Sequence, residues 1–132
     1  GRAVHPKSSY RVLVVEDDEE IRSYICRELA TDFYTEGCGN GKEALELIFK
    51  RPPHLIISDV MMPEMNGLEA TRCIRAFEGK GPGEGTPIIA MTANVFADDV
   101  KACLDAGMNS HVGKPLDMKV LIGEILKYTD AR

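Results

Sequence analysis

Four stretches of this chain end in side chains able to do chemistry. The apolar run from His54 to Ser58 ends in Asp59 and gives way to a loop holding Pro63 and Gly67, while Val12-Leu13-Val14-Val15 ends in Glu16-Asp17-Asp18. Pro87-Ile88-Ile89-Ala90-Met91 ends in Thr92, and a brief run near Ser110 to Val112 leads into Gly113-Lys114-Pro115. A carboxylate closing a buried strand sits where parallel α/β sheets place their chemistry. Carboxylates gathered at neighbouring strand ends repel by about 4 kcal/mol per pair at about 4 Å and an effective dielectric of about 20. A divalent cation is the natural remedy for such repulsion. The acids therefore predict a metal site.

For these residues to meet, the chain must fold as alternating strands and helices. Strand-like and helix-like segments do alternate, in five units, the pattern of a parallel sheet covered on both faces. After the first strand, about Arg11 to Val15, Ile21, Ile25 and Leu29 recur at steps of four and share one helix face, with Asp18 able to cap it. The second strand, near Phe33 to Cys38, is weakened by Gly37 and Gly39. Asn40 and Glu43 have the spacing of a capping box, which launches a helix through Ala44, Leu45 and Ile48, and Pro52-Pro53 stops it. A helix from about Gly67 to Phe77 is expected to bury Leu68, Ile74 and Phe77, and one further on to place Val100, Cys103 and Leu104 on one side before Gly107 closes it. The last helix carries Val120, Leu121, Ile125 and Tyr128. Right-handed crossovers then bring Glu16, Asp17, Asp59, Thr92 and Lys114 to a single sheet edge.

The bulk properties narrow the function classes. A chain of 132 residues suits one domain, and its net charge of −5 argues against a general nucleic-acid binder, which needs clustered Lys and Arg. No apolar stretch approaches the roughly 20 residues that cross a bilayer. With no hydrophobic signal region at the start, no direct membrane contact and a cytoplasmic location are expected. Cys26, Cys38, Cys73 and Cys103 are widely spaced, with no Cys-x-x-Cys, and read as buried free thiols. Residues 1–9 lack periodicity and read as a linker or tag remnant, 10–130 as the folded domain, and Gly79 to Gly85 as a flexible connector. No effector domain is expected on this chain.

Acids before a helix often serve only as caps, and a Lys before Pro often only marks a turn. Together and in order, however, Val14-Val15-Glu16-Asp17-Asp18-Glu19, Asp59-Val60-Met61-Met62-Pro63-x-Met65-x-Gly67, Met91-Thr92-Ala93 and Lys114-Pro115 resemble the response-regulator receiver domain of two-component signalling. The resemblance covers residues 10 to 128. It implies a flavodoxin-like, doubly wound (βα)5 fold with a five-stranded parallel sheet in the order 2-1-3-4-5. It further implies that Asp59 is the phosphoacceptor, attacking a phosphohistidine, with Lys114 and Thr92 completing the catalytic set. Mg²⁺ would be held by Asp17, Asp59 and the Met61 backbone carbonyl, and by Glu16 through water. Thr92 and His111 would occupy the switch positions, His111 departing from the family's usual Tyr or Phe. In the family, the positions of Met61 and Asn94 influence water attack. Met61 hydrogen-bonds a hydrolytic water poorly, so a longer-lived phosphoryl group than in chemotaxis-type receivers is expected.

The segment Gly107 to Pro115 is similar to receivers fused to hybrid histidine kinases, which makes such a kinase the expected parent and a stand-alone response regulator the alternative. The implied partners are a histidine kinase's phosphohistidine domain and a histidine phosphotransfer domain, with Ile21, Tyr24 and Ile25 as candidate contacts. No enzyme activity is expected of the isolated domain beyond self-catalysed phosphoryl acceptance and autodephosphorylation. A haloacid-dehalogenase-type phosphatase would share the Asp, Thr and Lys. It ranks far behind, because its nucleophile lies on the first strand with a second Asp two residues on, where Asp59 has Met61. A degenerate receiver used only for contacts would have lost an acid or the lysine.

Overall fold

The computed structural model describes residues 10–62, 65–93 and 97–129. The segment 1–9 expected to be a linker, and Asn94, lie outside these residues. Strands β1 (Arg11–Val15), β2 (Tyr34–Cys38), β3 (Leu55–Asp59), β4 (Ile88–Thr92) and β5 (Ser110–Gly113) alternate with helices α1 (Glu19–Leu29), α2 (Gly41–Lys50), α3 (Gly67–Glu78), α4 (Ala97–Ala106) and α5 (Met118–Thr129). Every pairing is parallel and the strand order is β2-β1-β3-β4-β5, the doubly wound arrangement that the alternating pattern predicts.

The apolar runs form strands because both faces of the sheet are covered. Alternate residues of β1 point to opposite cores. Val12 and Val14 join Ile57, Ile89, Ile25 of α1 and Leu121 and Ile125 of α5 on one side. Leu13 and Val15 join Ile56, Ile88, Ala44 and Ile48 of α2 and Ile74 of α3 on the other. Residues such as Ile57 and Ile89, with 0 % exposure, contribute about 1.5–3 kcal/mol each. These two layers hold β1 and β3 side by side at the centre, so their polar ends open on the same edge.

Helix starts follow local chemistry. Asp18 accepts from the Ile21 amide at 3.1 Å and Asn40 from the Glu43 amide at 2.8 Å. The reciprocal capping box expected of Asn40 and Glu43 forms instead at α3: Asn66 accepts from the Glu69 amide at 2.9 Å, and Glu69 Oε1 accepts from the Asn66 amide at 3.4 Å. Gly107 closes α4 as expected, with the Met108 amide donating to the Cys103 carbonyl at 3.0 Å.

Phe77, expected in the core, is at the surface, as are two further apolar side chains on the later helices. Phe77 is 55 % exposed, Leu104 49 % and Val120 53 %. Phe77 rests on Phe49 of α2, their rings 4.5 Å apart, beyond the reach of the sheet. The Gly79 to Gly85 connector forms a turn rather than a free loop: the Gly85 amide donates to the Gly81 carbonyl at 2.9 Å and Asn109 Nδ2 to the Pro82 carbonyl at 2.6 Å. All four cysteines are free; Cys38 and Cys103 are buried, Cys26 and Cys73 only partly. Burial pushes the Cys38 thiol up to about 12, leaving it unreactive at neutral pH. No helix among the described residues is long and apolar enough to cross a membrane.

Candidate functional site

At the carboxyl edge, the residue after β1 and the last residue of β3 face the same lysine. Lys114, in the loop after β5, has its Nζ 3.1 Å from Glu16 Oε1 and 3.1 Å from Asp59 Oδ2. The contacts join residues 98 and 55 positions apart in sequence. Glu16 is 1 % exposed and Asp59 6 %. A buried acid needs a partner of this kind, and one ammonium serves both. Asp17 points outward, yet one oxygen from each of Glu16, Asp17 and Asp59 can be chosen with all three within 4.8 Å of one another. Two of the three carboxylates share one lysine and the third makes no ion pair with it, so the pocket carries excess negative charge and offers a cluster of hard oxygen donors.

The protonation equilibria reflect that imbalance. Burial raises the Glu16 carboxyl above its ordinary range, and the charge of Asp59 adds to this, against the Asp18 amide and Lys114, which favour the ionised form. Burial pulls the Lys114 ammonium down, but the hydrogen bonds and charges of Asp59 and Glu16 outweigh it and hold it above the usual lysine range. Lys114 is therefore a fixed positive charge at neutral pH.

The backbone fixes the remaining parts. Thr92, 6 % exposed, ends β4, and its carbonyl accepts from the Lys114 amide at 2.9 Å, so strand pairing sets the root of the lysine. The loop after β3 is held at both ends by glycines. The Gly67 amide donates to the Val60 carbonyl at 2.9 Å and the Gly41 amide to the Met65 carbonyl at 3.0 Å. A Cβ at Gly67 would strike the Asp59 carbonyl oxygen and one at Gly41 the Met65 carbonyl oxygen, so only glycine permits the approach. Met61 rides on that loop with its side chain 76 % exposed.

The structure thus brings Glu16, Asp17, Asp59 and Lys114 together, with Thr92 at the neighbouring strand end. His111 is half-buried on β5, opposite Ala90 in register, with β4 lying between it and β3. Of the candidate contacts on α1, Ile25 is 0 % exposed and packs in the core, so it cannot meet a partner. Ile21 and Tyr24 instead line a groove of about 370 Å³ with Glu20, Lys114, Pro115 and Leu116, directly beside the acidic pocket. Residue type alone does not reveal the double role of Lys114 or that of the Asp18 amide, which donates to Glu16 Oε2 at 3.0 Å. The position of Asp18 two residues after Glu16 is the only sequence signal for the latter.

A five-stranded parallel sheet with a lysine-bridged acid cluster at its carboxyl edge defines a signalling receiver. The chain belongs to the response regulator receiver domain family, which it matches over residues 12–126. It is 36% identical over 118 residues to the response regulator MprA of Mycobacterium ulcerans, covering 89% of this chain and 49% of that protein, so it spans about half the length of this relative. It is similar, at 30% identity and a TM-score of 0.81, to the signal receiver domain of a signal transduction histidine kinase from Syntrophus aciditrophicus, over 93% of this chain and 92% of that one. It is also similar, at 29% identity and a TM-score of 0.80 over 96% of this chain and 92% of that one, to a chain of the co-crystal structure of the Saccharomyces cerevisiae histidine phosphotransfer signaling protein Ypd1 and the receiver domain of its downstream response regulator Ssk1. Receiver domains bind Mg²⁺ and interact with kinases and histidine phosphotransfer proteins, and the acidic cluster here could hold such a metal.

Proposed function

We propose that Asp59 accepts a phosphoryl group from a phosphohistidine and that the resulting aspartyl phosphate changes the surface this domain offers to partners. The observation that carries this reading is Lys114 bridging two buried carboxylates at 3.1 Å each, with a third acid alongside. An Asp59 oxygen attacks phosphorus, the bond from phosphorus to the histidine nitrogen breaks, and the released imidazole takes a proton from solvent. Lys114 is already placed to neutralise a phosphoryl oxygen on Asp59. Asp17, Asp59 and the Met61 carbonyl would hold Mg²⁺, with Glu16 acting through water. The bound ion would supply charge neutralisation at the transferring group. The donor set fits: hard oxygens in excess over positive charge. Thr92 and His111 would transmit the event to the α4–β5–α5 face.

The groove beside Lys114 supports docking of a histidine phosphotransfer or kinase domain against Ile21, Tyr24 and Leu116. The similarity to a histidine kinase's receiver favours a hybrid kinase as the parent protein, and the similarity to MprA keeps a response regulator as the second reading. The deciding experiment for the site treats wild type and Asp59→Asn with a small-molecule phosphodonor, with and without Mg²⁺, and weighs the products. Wild type is expected to gain one phosphoryl group only with Mg²⁺, and Asp59→Asn none; equal labelling of the two would reject the assignment.

A further inference from the structure

We propose that Arg22 is the positioning residue for the acid pair Glu16 and Asp17, a proposal that rests on the reading of the pocket as a cation site. Arg22 sits in the first turn of α1, its amide donating to the carbonyl of the N-cap Asp18 at 2.9 Å. Its side chain reaches back, and Nη1 donates to the Glu16 main-chain carbonyl at 2.8 Å. That carbonyl belongs to the rigid peptide plane joining Glu16 to Asp17, so its direction sets where the Asp17 side chain departs.

The bond completes the satisfaction of Glu16. Its amide donates to the Cys38 carbonyl at 3.0 Å, Oε2 accepts from the Asp18 amide at 3.0 Å and Oε1 from Lys114 at 3.1 Å. With the residue 1 % exposed, loss of Arg22 takes a donor away from its buried carbonyl. Because Arg22 donates to a carbonyl and not to a carboxylate, it fixes the loop without neutralising either acid.

A second observation comes from the edge strand. A Cβ at Gly37 would lie 3.1 Å from both Cγ and Cδ of Arg22 and 3.2 Å from Cys26 Sγ, and one at Gly39 would lie 3.4 Å from Nη1. The arm crosses β2 through the space these two glycines leave. Residues that weaken the strand therefore give the guanidinium its path.

The test measures Mg²⁺ binding to the metal-free protein by calorimetry, with amide hydrogen exchange at Asp18 as a readout that needs no metal. Arg22→Met keeps the apolar arm and removes the donor. Charge alone would make this variant bind Mg²⁺ more tightly, since a cation leaves the neighbourhood of the acids; loss of position predicts the opposite sign. The expected result is Mg²⁺ affinity weakened about tenfold, faster exchange at Asp18, and recovery in Arg22→Lys, which can still donate. Mg²⁺ binding as tight as wild type or tighter overturns the proposal, as does a fall in melting temperature with affinity unchanged. If the wild type itself binds no Mg²⁺, the reading of the pocket fails and this inference with it; if the wild type binds and Arg22→Met matches it, only this inference fails.

Discussion

The two edges of the sheet each carry a half-buried polar network, built on opposite principles. At the amino edge, Arg75 donates from Nε to the Gly107 carbonyl at 2.9 Å, from Nη1 to Glu78 at 2.8 Å and from Nη2 to Asn109 Oδ1 at 2.9 Å. Glu78 Oε2 also accepts from the Thr86 hydroxyl and amide, and Asn109 Oδ1 from the Ile88 amide. The cation and the anion are matched and every arm is used. At the carboxyl edge, three acids cluster around one lysine that pairs with only two of them. Two glutamates record the contrast: buried Glu16 is pushed up, chiefly by burial, whereas half-buried Glu78, despite its partial burial, is held below its ordinary range by Thr86 and Arg75. A closed network holds elements together. An open one stores unbalanced charge that a cation or phosphoryl group can answer.

The largest effect follows from opening the closed network. Arg75→Met strands Glu78, Asn109 and the Gly107 carbonyl, and should cost about 3 kcal/mol or more in urea unfolding. Mg²⁺ at a tenfold excess over its Kd should still add about 1.4 kcal/mol to wild type and variant alike. Loss of that gain in Arg75→Met would break the comparison by showing that the edges are coupled.

A smaller effect separates the glutamates by pH. The folded value of Glu78 lies below the unfolded 4.5, so its contribution is present above 4.5 and disappears as pH falls through the folded value. Glu78→Gln should therefore cost about 1 kcal/mol at neutral pH and flatten the acid limb of the stability curve below pH 4.5. An unchanged acid limb would mean that the network does not depend on the charge of Glu78.

Most of the carboxyl edge could be read from the sequence, because buried parallel strands are written as apolar runs and a polar residue ending such a run has few places to go. Glu16, Asp59 and Lys114 meet as expected for that reason. The amino edge was illegible: Arg75 finds Gly107 and Asn109 at separations of 32 and 34 residues, through a carbonyl and an amide that belong to no motif. The bond from Arg22 to Glu16 cannot be read from residue type, because its acceptor is main chain. The capping box at Asn66 and Glu69 shows the same spacing as Asn40 and Glu43, and only the backbone decides which pair closes. Helical periodicity gives the angle of a side chain but not the width of its neighbour, so Leu104, one turn after Val100, still emerges into solvent.

Phe77 is the sharpest case of that limit and its predicted effect is likewise small. It is next to Glu78 in sequence, yet its ring lies outside the network, against Phe49, which is 47 % exposed. An aromatic pair of this kind is worth about 0.5–1.5 kcal/mol beyond its area, while removing a fully buried Phe costs about 3–5 kcal/mol. Phe77→Ala should therefore cost about 1 kcal/mol, well below Arg75→Met, although it deletes a large apolar side chain. If the order were reversed in urea unfolding, apolar cover and not polar closure would hold the amino edge, and the contrast between the two edges would lose its physical basis.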